Sequence, residues 1–407
     1  MLQGQSIICF APNDWWGMNP SCTTHIMRRL AQNNKVLFVN PFSSDLSGGL
    51  KRGIGVRILR KIKSLYKVVR KPCENLYVFS PFFFPFQGKK RMDALNNTLL
   101  KIQFWLLLKF IGIRKPILWV ENLRSADLLA GFEPGAVVFH VSDLFTQCKY
   151  TANRQVLETR EKKILAASDL VICVSRPLQK RHSELHSNVH YIPHGVDFFK
   201  YHEAVLSGQT LPELSGIPHP IAGYFGTMTA NNDIELLLHC ARQLPHVSFV
   251  FAGLITGGNY DDLLSLPNVY HLGKLPYEKM PLLCAGFDVC LLQWKMSEWI
   301  RNCNPLKLLE YMASGKPIVS VPIRDVEERY SDLVSIADGK EAFCAAIKRE
   351  LQSDTSRRSA ARVEIARQHD WEQHVRQIET LISDTLSPKE SSEPVGKSAH
   401  SEANKGE

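Results

Sequence analysis

The chain repeats one pattern from its first residues: an apolar run, a polar loop, a helical stretch, then another apolar run. Ser6 to Ala11 leads into Pro12-Asn13-Asp14-Trp15-Trp16-Gly17, a helical pattern from about Thr23 to Asn33, and a strand at Val36 to Val39. Strand, loop, helix, strand is the unit of a parallel sheet, because parallel neighbours need a crossover that a helix supplies. The alternation weakens between Phe198 and Pro218, where Gly, Pro and Ser gather, and restarts at Pro220 to Phe225. The expected fold is α/β, with two doubly wound, Rossmann-like parallel-sheet halves. Residues 1–200 form the first half, 201–218 a linker, and 219–370 the second half. Residues 371–386 form a helix packing back on the first half, and 387–407 a disordered tail without apolar pattern. Open α/β sheets bind ligands at the carboxyl ends of their strands, so a cleft is expected between the halves. No Gly-x-Gly-x-x-Gly is present, so a dinucleotide site has no support.

With 407 residues, 44% hydrophobic and 22% charged, the chain can build a core in each half. None of its 10 cysteines forms a Cys-x-x-Cys pair, and Cys9, Cys173 and Cys290 lie in apolar runs, as reduced cytosolic cysteines do. No signal-peptide core is seen. The longest apolar candidate, Ile102 to Ile113, contains Lys109 and is short of the roughly 20 residues a membrane span needs. The expected location is the cytoplasm, peripheral on the inner face of the membrane.

The net charge of +9 suits nucleic acid, an anionic membrane or phosphorylated ligands. Much of it sits in Lys51 to Lys71, which has no acid and repeats Ile54, Ile58, Ile62 and Tyr66 every fourth residue. That is the pattern of a basic amphipathic helix on anionic lipid, and the aromatic run Phe79 to Phe86 follows it. The alternative is a solvated helix, with the phenylalanines in the domain core. Nucleic acid is not expected, since few aromatics interleave with the bases.

The stretch Arg301 to Val319 carries the chemistry. Asn304 is expected as N-cap, Pro305 at the first helical position, and Gly315 with Pro317 at the end. Lys307 falls in the first turn, where the helix dipole disfavours a cation unless an anion docks there. Glu310 lies on the same face, so a plain Lys-Glu surface pair is the competing reading. A second helix start follows Gly226-Thr227, where the glycine lets a ligand approach and the amides near Asn231 to Ile234 are expected to face an anion. Two such ends with one lysine suit a diphosphate, and Glu310 suits a ribose or sugar diol. His140 and Asp143 end an apolar strand, where they either touch substrate or are structural.

Ala167-Ser-Asp-Leu-Val-Ile-Cys-Val-Ser175, Ile192-Pro-His-Gly-Val-Asp197, Gly223-Tyr-Phe-Gly226, Asn268-Val-Tyr-His-Leu-Gly273, Pro276-Tyr277, Phe287-Asp288 and Asn304 to Val319 follow in order. In these motifs the chain resembles the GT-B glycosyltransferases of the large retaining group 1, family 4-like family, in particular a subgroup with Asn-Pro-x-Lys-x-x-Glu-Tyr. The resemblance implies two facing Rossmann-like domains and a UDP- or GDP-sugar donor on the second. It implies transfer of a hexosyl group to a sugar or lipid-linked acceptor in bacterial polysaccharide or cell-envelope glycan synthesis. Lys307, Glu310 and Arg301 are then the catalytic set. Gly226, Thr227, Asn302, Asn304, Pro305 and Leu306 bind donor, and Asp14, Gly17, His25, His140 and Asp143 lie on the acceptor side. The family's first glutamate of Glu-x7-Glu falls on Asn302, and its usual Arg-Lys pair is missing from Thr227 to Asp233. Neither cofactor nor metal is expected, because helix amides and Lys307 carry the phosphate charge. The resemblance implies retention; inversion needs a base, for which Asp14, His140 and Asp143 are the candidates. A sugar-nucleotide epimerase or hydrolase, and a non-catalytic nucleotide-sugar-binding scaffold, are the alternatives.

Overall fold

The computed structural model describes residues 2–17, 19–42, 68–84, 90–147 and 154–387. The near-continuous apolar runs become buried parallel strands, as expected of strands covered on both faces. The first half holds β1 (Ser6–Phe10), α1 (Cys22–Leu30), β2 (Lys35–Val39), β3 (Val69–Cys73), β4 (Leu76–Phe79) and α2 (Lys90–Ile111). It continues with β5 (Ile117–Val120), β6 (Ala136–Val141), α3 (Arg154–Ala167), β7 (Leu170–Cys173), α4 (Arg176–Ser183) and β8 (Val189–Tyr191). Its sheet order is β3-β4-β2-β1-β5-β6-β7-β8, parallel except for the β3–β4 pair.

The second half begins with α5 (Phe198–Leu206), β9 (Ile221–Phe225), α6 (Ile234–Gln243), β10 (Ser248–Ala252), α7 (Asp261–Leu264), β11 (Val269–His271) and α8 (Met280–Ala285). Then come β12 (Val289–Leu292), α9 (Glu298–Arg301), α10 (Leu306–Ala313), β13 (Ile318–Ser320), α11 (Arg324–Tyr330), β14 (Ser335–Ile336), α12 (Lys340–Ser353) and α13 (Ser356–Gln368). Its sheet, β11-β10-β9-β12-β13-β14, is wholly parallel.

Three expectations change. The segment read as a linker carries α5, whose Phe198 and Tyr201 are buried in the core of the second half. The basic stretch is not one helix to Lys71: Arg70 and Lys71 lie on β3, an exposed edge strand, and residues 51–67 lie outside the described residues. Of the aromatic run, Phe79 and Phe83 are buried in the first half's core, Phe84 is exposed, and Phe86 lies outside the described residues. Phe79 ends β4, whose apolar residues point inward, so for Phe79 and Phe83 the alternative of phenylalanines in the domain core is the one found. The tail beyond 387 also lies outside the described residues.

The last helix, α14 (Trp371–Leu386), returns to the first half. Trp371, Val375, Ile378 and Ile382 pack with Ile26, Leu30 and Ile172 in one core. Where the chain crosses back, Val196 donates its amide to His369 O at 3.0 Å and accepts from Trp371 N at 3.2 Å. The two crossings therefore run side by side, paired as in a sheet. The Trp371 ring is 2% exposed. Its replacement by alanine is expected to cost about 3–5 kcal/mol, the usual loss for emptying so large a site. Urea denaturation of Trp371→Ala checks this, and a loss below about 1 kcal/mol contradicts the packing role.

Candidate active site in the cleft between the halves

The carboxyl ends of both sheets face a cleft of about 710 Å³. From the first half, Trp15, Gly17, Thr24, His25, Arg28 and Arg29 line it; from the second come Lys274, Tyr277 and Glu278. Asp197 and Lys200, at the crossing, complete the floor.

Helix α10 starts at Leu306 with Pro305 as its cap, and no side chain bonds its first amides. Asn304 is not the N-cap expected of it. Its Nδ2 donates instead to Asp325 Oδ2 at 2.8 Å, because that buried carboxylate needs donors and also takes the amide of Arg176 at 3.2 Å. The helix end is thus free of any side-chain acceptor, which suits an incoming anion. The other start differs: Asp233 caps α6 with its own carboxylate, accepting from Leu236 N at 3.1 Å, and Asn231 N is taken by Thr229 Oγ1 at 3.1 Å. Asn232 N, Asp233 N and Ile234 N are also taken, by Thr229 O, Gln293 O and Asn232 O, so the amides expected to face an anion already have acceptors within the fold.

Lys307 does not pair with Glu310. Among the described residues no carboxylate lies within ion-pair distance of its Nζ. It lies 5.4 Å from the Tyr224 ring and 5.7 Å from the Trp294 ring, over the backbone of Gly226. A Cβ on Gly226 would stand 2.8 Å from Nζ, and the φ of +133° at this residue is one that other residues rarely adopt. Gly226 thus brings the lysine against the end of β9, and exposed Thr227 follows it. Gly253, with φ +149°, approaches so closely that its own Cβ would meet the Gly226 carbonyl at 2.0 Å.

One turn beyond Lys307, Glu310 is buried and accepts from Tyr201 Oη at 2.8 Å and Tyr277 Oη at 3.4 Å. Burial pushes its carboxyl up to about 7, against the pull of Tyr201 and Lys307. Tyr277 also reaches Asp197 Oδ2 at 3.5 Å, linking Glu310 to the cleft floor. Burial works against the charge on Asp197. His25 in its protonated form, Lys200 and Arg29, with Arg29 Nη2 at 2.9 Å, outweigh it and hold the carboxyl below its ordinary value. His25 stacks on Trp371 with ring centroids 5.0 Å apart, and burial lowers its pKa to about 4, so it is neutral at pH 7.

The remaining expected site residues lie elsewhere. His140 is buried and bonded through Nδ1 to Glu121 Oε1 at 2.7 Å, the arrangement expected of a structural histidine. Asp143, its carboxyl raised to about 7 by burial, is held by Leu144 N and the Trp299 indole. Asp14 closes a turn through Trp16 N at 2.8 Å. Asn302 folds back on α9, donating to Glu298 O at 2.6 Å and Oε1 at 2.9 Å, while its carbonyl accepts from Ser175 Oγ at 2.7 Å. Arg301 ends α9 with an exposed side chain.

Asp197, Tyr277 and Lys274 were not singled out as site residues, although two of them stand inside quoted motifs. Lys274, just past the end of β11, lines both the cleft and the recess at Gly226 and Thr227. Its position one residue after Leu272-Gly273 was the available signal. Among the described residues, Cys22, Glu121 and His140 have metal-like spacing. However, Glu121 is already occupied by Thr23, Trp119, His140 and Ser142, and burial keeps the Cys22 thiol protonated.

The model of a family described as glycosyl transferase-like matches residues 231–380, the greater part of the second half. A relative named for teichuronic acid biosynthesis, the glycosyltransferase TuaH of Bacillus subtilis (strain 168), is 26% identical over 239 residues. That match covers 55% of this chain and 59% of TuaH, so the chain is matched to little more than half the length of its relative. Sucrose-phosphate synthase of Thermosynechococcus elongatus superposes with TM-score 0.65 at 15% identity, over 94% of this chain and 99% of its own. HepE of Anabaena, solved in complex with UDP-glucose, gives 0.65 at 15% identity, over 93% and 99%. The fold is GT-B.

Gly253→Ala is expected to lose about 3 kcal/mol, from strain at positive φ and the clash with Gly226. Urea unfolding measures it; a neutral result contradicts the close approach of the two loops.

Proposed function

We propose that the chain is a glycosyltransferase that moves a hexosyl group from a nucleotide-sugar donor, bound to the second half, to an acceptor in the cleft. The observation that carries this reading is the uncapped start of α10 with Lys307 beside Gly226 and the buried carboxyl of Glu310 one turn on. The diphosphate docks at the helix amides and Lys307, and the ribose diol donates to Glu310. HepE's complex with UDP-glucose supports a UDP-sugar as donor, and the name of TuaH supports a cell-envelope polysaccharide as product. The acceptor is a sugar or lipid-linked sugar at the inner membrane face.

As the bond between the sugar C1 and the phosphate oxygen breaks, negative charge grows on the leaving phosphate; the acceptor hydroxyl oxygen bonds to C1 and its proton passes to that phosphate oxygen. Lys307 and the α10 dipole, fixed beforehand, stabilise that charge, with Lys274, which lines the recess at Gly226 and Thr227, as a second cation. Asp197 and neutral His25 accept and donate hydrogen bonds to sugar hydroxyls at the floor. Transfer with retention is the proposed course, on the resemblance of the motifs.

Lys307→Ala is expected to lower kcat by about 10²–10³, the usual loss for one oxyanion donor, with the fold intact because the side chain is partly exposed. A radiolabelled transfer assay with UDP-glucose and membrane extract as acceptor tests it; full activity sinks the assignment. A second expectation concerns pH. Glu310 must be ionised to accept from both ribose hydroxyls, and its free carboxyl titrates near 7. Affinity for UDP-glucose, which has no group titrating there, should fall as pH drops through 7, up to about tenfold per unit. Calorimetric titration across this range should show the slope in the wild type and its disappearance in Glu310→Gln.

A further inference from the structure

Helix α2 is the longest among the described residues, 22 residues or about 33 Å. Its inner side, with Leu100, Phe104, Leu107 and Ile111, packs into the first half's core against Phe10 and Phe79. Its outer side is also apolar. Leu95, Ile102, Trp105, Leu106 and Phe110 fall in one arc of the helix at 100° per residue, and all are exposed, Trp105 by 63% and Phe110 by 85%. The other large exposed apolar side chains of the described residues stand in ones and twos. A continuous apolar stripe on a protein surface marks a contact.

The charges beside the stripe indicate what it contacts. Arg91, Lys101 and Lys109 lie on α2, and Arg114 and Lys115 directly after it, all exposed. The helix carries a single acid, Asp93, on its opposite side among Asn96 and Leu100. Beside Trp105 runs a groove of about 480 Å³, walled by Lys101, Leu108, Lys109 and Phe132 and lined by no acid. Lys109 Nζ lies 5.5 Å from the Trp105 ring. Aromatic and aliphatic tips ringed by lysines and arginines are the composition of a lipid-water interface: the rings enter the acyl region and the cations stay with the phosphates. No helix of the described residues is long and apolar enough to cross a membrane, so α2 lies on the surface.

We propose that the outer face of α2 docks on an anionic lipid bilayer, with Trp105 and Phe110 inserted and Lys101 and Lys109 at the headgroups. Asn96 and Gln103 of α2 hydrogen-bond to Phe84 and Phe82, just past the carboxyl end of β4, which sets the first part of the helix toward the end of the sheet where the cleft opens. A lipid-linked acceptor would reach the cleft along that edge. This use rests on the proposed function; the docking itself does not.

The test is co-sedimentation of the full chain with phosphatidylcholine vesicles, with and without phosphatidylglycerol. The protein is expected to sediment only with the anionic vesicles and to be released by about 0.5 M NaCl. Phe110→Glu alone, at a site too exposed to disturb the fold, and Trp105→Glu with it, should cut partitioning at least about tenfold. Lys101→Glu and Lys109→Glu should each cut it about fivefold or more. Affinity for UDP-glucose should stay unchanged in every variant. If UDP-glucose fails to bind while the vesicle results hold, the donor reading falls and the docking stands. A wild type that stays in the supernatant, or variants that sediment like wild type, overturn the docking. A solution dimer that Phe110→Glu disperses also overturns it, by assigning the face to a second copy.

Discussion

A carboxyl group cannot remain deep in an apolar domain without partners, and the partners of Glu310 account for much of the second half. Two phenols answer it, Tyr201 and Tyr277, both donating to Oε1. Tyr201 comes from α5, so the segment leaving the first half must fold back as a helix against α8 and α10. Tyr277 comes from the turn after β11 and also touches Asp197. One buried acid thereby ties the exit from the first half, the candidate donor helix and the cleft floor into a single polar network. Removing a partner from such a group leaves it unsatisfied, which costs more than the bond itself returns.

The alternation of strands and helices was legible because parallel strands buried on both faces are written as unbroken apolar runs. β3 was missed because an exposed edge strand made of Val69-Arg-Lys-Pro-Cys73 has no such run. The supposed linker hid α5 because Tyr201 finds its acceptor 109 residues away. Asn304 misled for a related reason. Capping rules are local, while the buried Asp325 that takes its amide lies on another helix. At the candidate site, Lys307 and Glu310 were visible from their odd places on one helix. Asp197, Tyr277 and Lys274 were not, since each gains its meaning only when three separate segments meet at the cleft.

The charges of the molecule divide by task. At the cleft, Arg29 and Lys200 are spent on Asp197, whereas Lys307 lies by aromatic faces with no ion-pair partner among the described residues. A cation held by rings alone keeps its charge available to a ligand, because a quadrupole is a weaker rival than a carboxylate. Along α2 the cations flank apolar tips and have no cleft to serve. The excess of +9 is therefore the sum of separate local needs rather than one uniform field.

The paired crossings at Val196 and His369 to Trp371 have a mechanical consequence. Two chain segments a hydrogen bond apart define one axis, and a relative motion of the halves that preserves those bonds must turn about it. Points near the axis barely move, while points far from it sweep the widest. Asp197 lies on the axis and keeps its setting through such a turn. A turn of the halves that keeps these bonds would be that of a book, with the Asp197 carboxylate in the spine and the residues at the open rim travelling farthest.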